Sequence, residues 1–279
     1  MRNTDAATIR RLLEHARYEV LPTPTIEEKL LAGVPTSVQL TVTASPTKGL
    51  ETTLATAERL RSAGYDVVPH LAARMVHGRA ELEEVVARLR AAGVTSIFVP
   101  GGDAQSDDTY ADALALLEDL SDLGRPFEHV GIAGYPESHP TIHDDLTIQS
   151  MWDKRRHATH IVSNLTFDPK VVKHWLERLR ARGVTMPLLL GVPGPVDQAK
   201  LLTMATRIGV GDSTRFLKTH KGFVAKLFAP GAFTGQRFLE KCAPALGQPD
   251  ALVEGLHVYT FNQVAETEKW RQDWLAELA

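Results

Sequence analysis

The 279-residue sequence predicts an α/β fold, a single (β/α)8 barrel occupying residues 1–279. Two observations carry this. Most of eight short strand-like runs are too apolar for a half-solvated sheet, and amphipathic helical segments separate most of them. Continuous Val/Ile/Leu runs joined by helices imply parallel strands covered on both faces, and eight such units close into a barrel. A doubly wound open sheet is the structural alternative, but no Gly-x-Gly-x-x-Gly turn follows the first strand, which weakens it.

Taken in order, the strand-like runs are 18–21, 38–43, 66–71, 96–99, 129–133, 160–164, 187–191 and 257–261. Thr25 with Glu28 predicts a capping box for the helix after the first strand. Three later segments share one grammar: Ser62-Ala63-Gly64, Ala91-Ala92-Gly93 and Ala181-Arg182-Gly183 each stand just before an apolar run. Each glycine closes an amphipathic stretch, as expected where a helix ends in a left-handed residue. Leu82, Val85, Val86 and Leu89 recur at helical spacing before Gly93; Val171, Val172, Trp175 and Leu179 do so before Gly183. Asp168-Pro169 supplies a capping side chain and a proline at the first helical position. The stretch from Gly209 to Gly255 breaks the rhythm and is expected to hold extra helices before the last strand. No linker marks a second domain.

Composition narrows the function classes. A hydrophobic content of 43% and a mean hydropathy of −0.14 are ordinary for a globular protein with a sizeable core. The net charge of −3 mixes both signs throughout, giving no electrostatic case for nucleic acid or a membrane surface. Cys242 is the only cysteine, which excludes an intramolecular disulfide framework and fits a reducing compartment. No signal-peptide core and no membrane-length apolar run is present, so a cytoplasmic location is expected.

The chemistry is concentrated at the strand ends, which in a barrel feed the active-site loops. They carry Glu19, Thr41 and Thr43, His70, Asp103, Tyr135 with Glu137 and His139, Asn164, and Tyr259-Thr260-Phe261-Asn262. The most informative stretch is 129–140, where a short apolar run is followed at once by a tyrosine, a carboxylate and an imidazole. The last two each precede or follow proline, which stiffens the loop into extended backbone. Individually, each group has a plainer role: Glu19 as a carboxylate bonded to backbone amides, His70 as a rim histidine, Gly101-Gly102-Asp103 as a tight turn. Glu137 and His139 lack a helical metal-ligand spacing, and no catalytic metal is expected. Glu19 and Glu137 as the paired carboxylates of a hydrolase is a weaker option.

The order of these motifs resembles that of the flavin-dependent methylenetetrahydrofolate reductases. The likeness runs from about Glu19 to Asn262 and is strongest at Tyr135-Pro136-Glu137-Ser138-His139-Pro140, which matches the family's Tyr-Pro-Glu-x-His-Pro. Glu19-Val20-Leu21-Pro22 stands for its Glu-Phe-Phe-Pro-Pro, and Pro69-His70-Leu71 for its Pro-His-Leu. Pro100-Gly101-Gly102-Asp103, followed by Tyr110-Ala111-Asp112, stands for its Leu-Arg-Gly-Asp, and Tyr259-Thr260-Phe261-Asn262 for its Tyr-Thr-Leu-Asn.

The resemblance implies a barrel with FAD across the strand ends and NADH or NADPH as hydride donor. The substrate is 5,10-methylenetetrahydrofolate, a folate derivative reduced to 5-methyltetrahydrofolate. It makes Glu19 the general acid that opens the folate ring, which requires a raised pKa. It places Asp103 beside the flavin and pterin, where negative charge favours the cationic iminium. Thr41, His70, Asp103, Tyr110, Ala111, Tyr135, His139 and Lys154 fall at FAD contacts, while Glu19, Asp103 and Asn164 fall on the folate. The chain departs from the family at Gly101, which replaces an arginine, at Val20 and Leu21, which replace phenylalanines, and around Lys154, where the match slips by a residue. Those departures keep two alternatives: a divergent one-carbon or flavin oxidoreductase, flavin-free if hydride comes straight from a nicotinamide, and a non-catalytic folate- or flavin-binding partner. Association into a homo-oligomer is left open.

Overall fold

The computed structural model describes residues 2–104, 109–139, 142–195 and 234–279. Its eight strands are β1 (Ala16–Val20), β2 (Gln39–Val42), β3 (Val67–Pro69), β4 (Ser96–Val99), β5 (His129–Gly134), β6 (His160–Ser163), β7 (Leu188–Pro193) and β8 (Val253–Tyr259). All eight expected runs are strands, with ends moved by a few residues. Every pairing is parallel, in the order β3-β2-β1-β8-β7-β6-β5-β4. The two outer strands meet through a bridge between His70 and Phe98, reinforced by Leu71 N–H donating to Phe98 O at 2.8 Å. The sheet is thereby a (β/α)8 barrel.

Around it pack α1 (Asn3–Glu14), α2 (Ile26–Gly33), α3 (Gly49–Ser62), α4 (Arg79–Ala91), α5 (Ala113–Asp122), α6 (Asp144–Lys154), α7 (Pro169–Ala181), α8 (Gly235–Leu246) and α9 (Val264–Glu277). Gly64, Gly93 and Gly183 follow their helices at φ +94°, +76° and +77°, the left-handed turn that a side chain would strain. Asp168 caps α7 by accepting from Lys170 N–H at 2.9 Å, with Pro169 in the first turn.

The capping box at Thr25 does not form. Its backbone sits at φ −103°, ψ 3°, away from the extended conformation a capping side chain needs, and a turn from Thr23 O to Ile26 N starts α2 instead. Of the irregular stretch before β8, the described part holds α8 and a 3-10 turn, Pro249–Ala251; residues 209–233 lie outside the described residues. The apolar face of α8, with Phe238, Leu239, Cys242 and Leu246, is buried where it packs on α1 and α7. Among the described residues, no helix is long and apolar enough to cross a membrane.

Side chains alternate along each strand, so the outward set forms the main core against the helices. Inside the barrel the apolar filling is small: Val68, Phe98 and Val162, with Ala133 and Leu189 against them. The rest of the interior is polar. Arg17 and Glu19 of β1, Thr41 of β2, His160 of β6, His257 of β8 and His70 just past β3 are all buried. A parallel barrel ordinarily fills this space with branched aliphatics, so the departure marks where chemistry is done.

Candidate active site at the barrel mouth

Glu19 occupies the penultimate position of β1 and points into the barrel, in register with Thr41 on one side and Tyr259 on the other. The Tyr259-Thr260-Phe261-Asn262 segment fastens this strand end. Thr260 Oγ1 donates to Glu19 O at 2.6 Å. The Asn262 amide both accepts from Leu21 N–H (2.8 Å) and donates to Leu21 O (3.0 Å). A segment expected at the site thus acts largely through backbone: it holds Glu19 still.

His257 Nε2 lies 3.0 Å from Glu19 Oε2, and His70 Nε2 lies 3.7 Å from the same oxygen, beyond hydrogen-bond length. Burial pushes the Glu19 carboxyl up to about 7, with His70 partly opposing the shift. Burial pulls His70 down to about 4 and His257 down to about 3, so both rings are neutral at pH 7. Deeper in the barrel, burial lowers Arg17 to about 10 and His160 to about 3; the guanidinium stays charged and its Nη1 lies 3.4 Å from His160 Nε2. A half-protonated carboxyl therefore stands above a fixed positive charge and between neutral imidazoles. No group of three His, Cys, Asp or Glu among the described residues could hold a metal.

The remaining residues named from sequence are placed as follows. Tyr135 directly follows β5 and meets the His139 ring edge-on at 4.8 Å; burial first, then the charge of Asp103, raises its phenol. Asp103 is exposed on the loop after β4, and Asn164 is exposed directly after β6. Tyr259 spans the mouth, donating to Ser163 O at 3.2 Å, and its phenol is raised by burial, then by Glu19 and Tyr135. Glu19, Thr41, His70, Asp103, Tyr135, His139 and Asn164 are thus all set at the C-terminal ends of strands or in the loops that leave them.

Three others have local duties. The Tyr110 hydroxyl donates to Asp119 Oδ2 at 2.6 Å within the helical layer. The Ala111 carbonyl accepts from Arg74 Nε at 3.0 Å. Lys154, in the last turn of α6, donates to Ser150 Oγ at 2.6 Å, and burial lowers its ammonium. Glu137 is structural as well: its Oε1 accepts from Phe167 N–H (2.8 Å) and Asp168 N–H (3.0 Å), tying the loop after β5 to the start of α7. Those two bonds give Glu137 a structural duty, which counts against it as the second carboxylate of a hydrolase.

Sequence reasoning missed His257, Arg17, His160 and Arg74. The first three had a signal: each is a polar residue that opens or directly precedes an apolar run, and His257 and Arg17 stand two positions before Tyr259 and Glu19, hence on the same face. Arg74 had none. It braces the loop after β4 by donating to both Gly102 O and Ala111 O.

A bound FAD needs cations or backbone amides for its phosphates. Among the described residues the fit is poor: Lys154, Tyr110 and Arg74 already bond Ser150, Asp119 and backbone carbonyls, and Gly101 brings no cation to the loop after β4.

Solved structures similar to this chain show the fold alone. A protein from Burkholderia cenocepacia described as a lyase/mutase matches with a TM-score of 0.51 at 14% identity, covering 98% of this chain and 84% of its own. A 2,3-dimethylmalate lyase of the PEP mutase/isocitrate lyase superfamily matches with a TM-score of 0.48 at 16% identity, covering 85% and 91%. The family model for methylenetetrahydrofolate reductase matches residues 25–270, nearly all of the barrel, including the strand ends that carry His70, Asp103, Tyr135 and Asn164. By that match the chain belongs to the methylenetetrahydrofolate reductase family.

Proposed function

We propose that this protein reduces 5,10-methylenetetrahydrofolate to 5-methyltetrahydrofolate, with NADH or NADPH as the source of hydride. The observation that carries the reading is Glu19: a buried carboxyl at the barrel mouth whose pKa of about 7 leaves it substantially protonated under neutral conditions. A general acid is most effective when its pKa lies near the working pH.

In this scheme the folate's bridging carbon, bound to N5 and N10, lies over Glu19. The carboxyl proton passes to N10 as the carbon–N10 bond breaks, and the electron pair of that bond stays on N10. The bridging carbon becomes an N5 iminium. Hydride adds to that carbon to give the N5 methyl group, NAD(P)H leaves as NAD(P)+, and the Glu19 carboxylate regains a proton from solvent. Asp103, on the loop above, offers negative charge toward the iminium, and Asn164 offers its amide to the pterin. The resemblance implies FAD as relay, but the described residues do not favour it, and the protein's colour is the direct check.

Glu19→Gln tests the reading. Glutamine keeps the shape and hydrogen-bonding reach but cannot deliver a proton at neutral pH. NAD(P)H-dependent folate reduction should fall about 100- to 10,000-fold while folate binding is retained. An undiminished rate would remove Glu19 from the chemistry.

A further inference from the structure

We propose that His257 is a positioning residue for Glu19: its ring holds one carboxyl oxygen, so that only the other delivers the proton at the barrel mouth. This rests on the role of Glu19 as the acid. Oε2 is the oxygen engaged by His257, at 3.0 Å, while among the described residues Oε1 has no hydrogen-bond partner. His257 Nδ1 is buried and also lacks a partner. A buried N–H without an acceptor is costlier and rarer than a lone pair without a donor, so the ring proton belongs on Nε2 and is donated to Oε2. The acidic proton of Glu19 then has to sit on Oε1.

The ring itself is fixed. Tyr259 meets it edge-on at 4.8 Å and 76°, and Tyr259 is anchored on Ser163 O. Thr260 and Asn262 of the same segment hold the backbone of Glu19 and Leu21. One stretch of β8 and its following turn therefore restrains both ends of the acid. The other ionisable groups facing this pair are Arg17 on β1, His70 past β3, Tyr135 past β5 with Asp103 beyond it, His160 on β6, and Tyr259. None of these is hydrogen-bonded to the carboxyl, His70 standing off at 3.7 Å, whereas His257 is, at 3.0 Å.

The test follows the protonated carboxyl directly, by infrared titration of the C=O band that Glu19→Gln abolishes, in the full chain without substrate. His257→Gln can place an amide N–H near the position of Nε2; His257→Asn, one bond shorter, cannot. Because a donor favours the ionised carboxylate, His257→Asn should raise the midpoint of the band by about one to two pH units, and His257→Gln should leave it near the wild-type value. Folate reduction should fall about 10- to 100-fold in His257→Asn at its acidic plateau and recover in His257→Gln. An unmoved midpoint in His257→Asn, or equal shifts in both variants, would overturn the proposal whatever the activity. Midpoints that behave as expected in a protein that reduces no folate would uphold the positioning and sink the reaction instead.

Discussion

A glutamate in water ionises near 4.5, and the chemistry proposed for Glu19 depends on the barrel changing that value to about 7. The cost falls on the folded state. Between those two values the native protein keeps a proton that the unfolded chain releases, so this group's contribution is fully present below about 4.5 and lost as pH rises through 7. The size is on the order of 3 kcal/mol. Glu19→Gln should therefore gain stability relative to the wild type as pH is raised from 5 to 8, in urea denaturation followed at each pH. Parallel curves would mean that the carboxyl is not protonated in the native barrel. The same protonation predicts that wild-type folate reduction declines as pH rises through 7.

At the scale of elements, the turn after β8 holds the site by tying down the end of β1. Asn262 bridges both backbone groups of Leu21, so Asn262→Ala leaves a partly buried amide and carbonyl short of partners. A loss of about 1–3 kcal/mol in thermal or urea unfolding is expected, with folate turnover falling further than stability does, because the end of β1 loosens. Gly191 on β7 makes a different kind of demand. An added Cβ there would collide with Ser163 O and lie 2.5 Å from Asn164 O, backbone that cannot step aside. Gly191→Ala should force β6 and β7 apart, lowering the melting temperature and displacing Asn164 from the mouth. A variant that melts and binds folate like the wild type would contradict the close packing of these strands.

Over the whole molecule, the polar barrel interior shapes acid stability. His70, His160 and His257 are held near 4, 3 and 3, against 6.5 in the unfolded chain. Below 6.5 the unfolded state takes up protons that the native state refuses, so each histidine's contribution is complete above 6.5 and lost as pH falls. Each amounts to about 1.4 kcal/mol per pH unit in that window. Glu19 has the opposite slope, but three groups outweigh one. Stability should therefore fall steeply from pH 6.5 toward 4.5, and His160→Gln should lessen the slope. A wild-type protein whose urea midpoint is flat over this range would show that the interior histidines take up protons without unfolding.

What the sequence determined by itself was the repeating part of the molecule: eight buried strands, the glycines that end the helices before them, and the strand ends at which Glu19, His70, Tyr135 and Asn164 appear. These depend on short-range rules, apolar run length, helical spacing and left-handed turns, which are written locally. It also showed which family the motif order belongs to. It could not separate chemistry from scaffolding within one motif, because that depends on which partner lies across the barrel. Glu137, in the most informative loop, is spent on the amides of Phe167 and Asp168; Tyr110 reaches Asp119, and Lys154 reaches Ser150. His257, read only as the start of a strand, is the group that touches Glu19. Only the tertiary structure decided the protonation of that carboxyl, since burial is a property of all eight strands closing around it and not of any residue beside it in the chain.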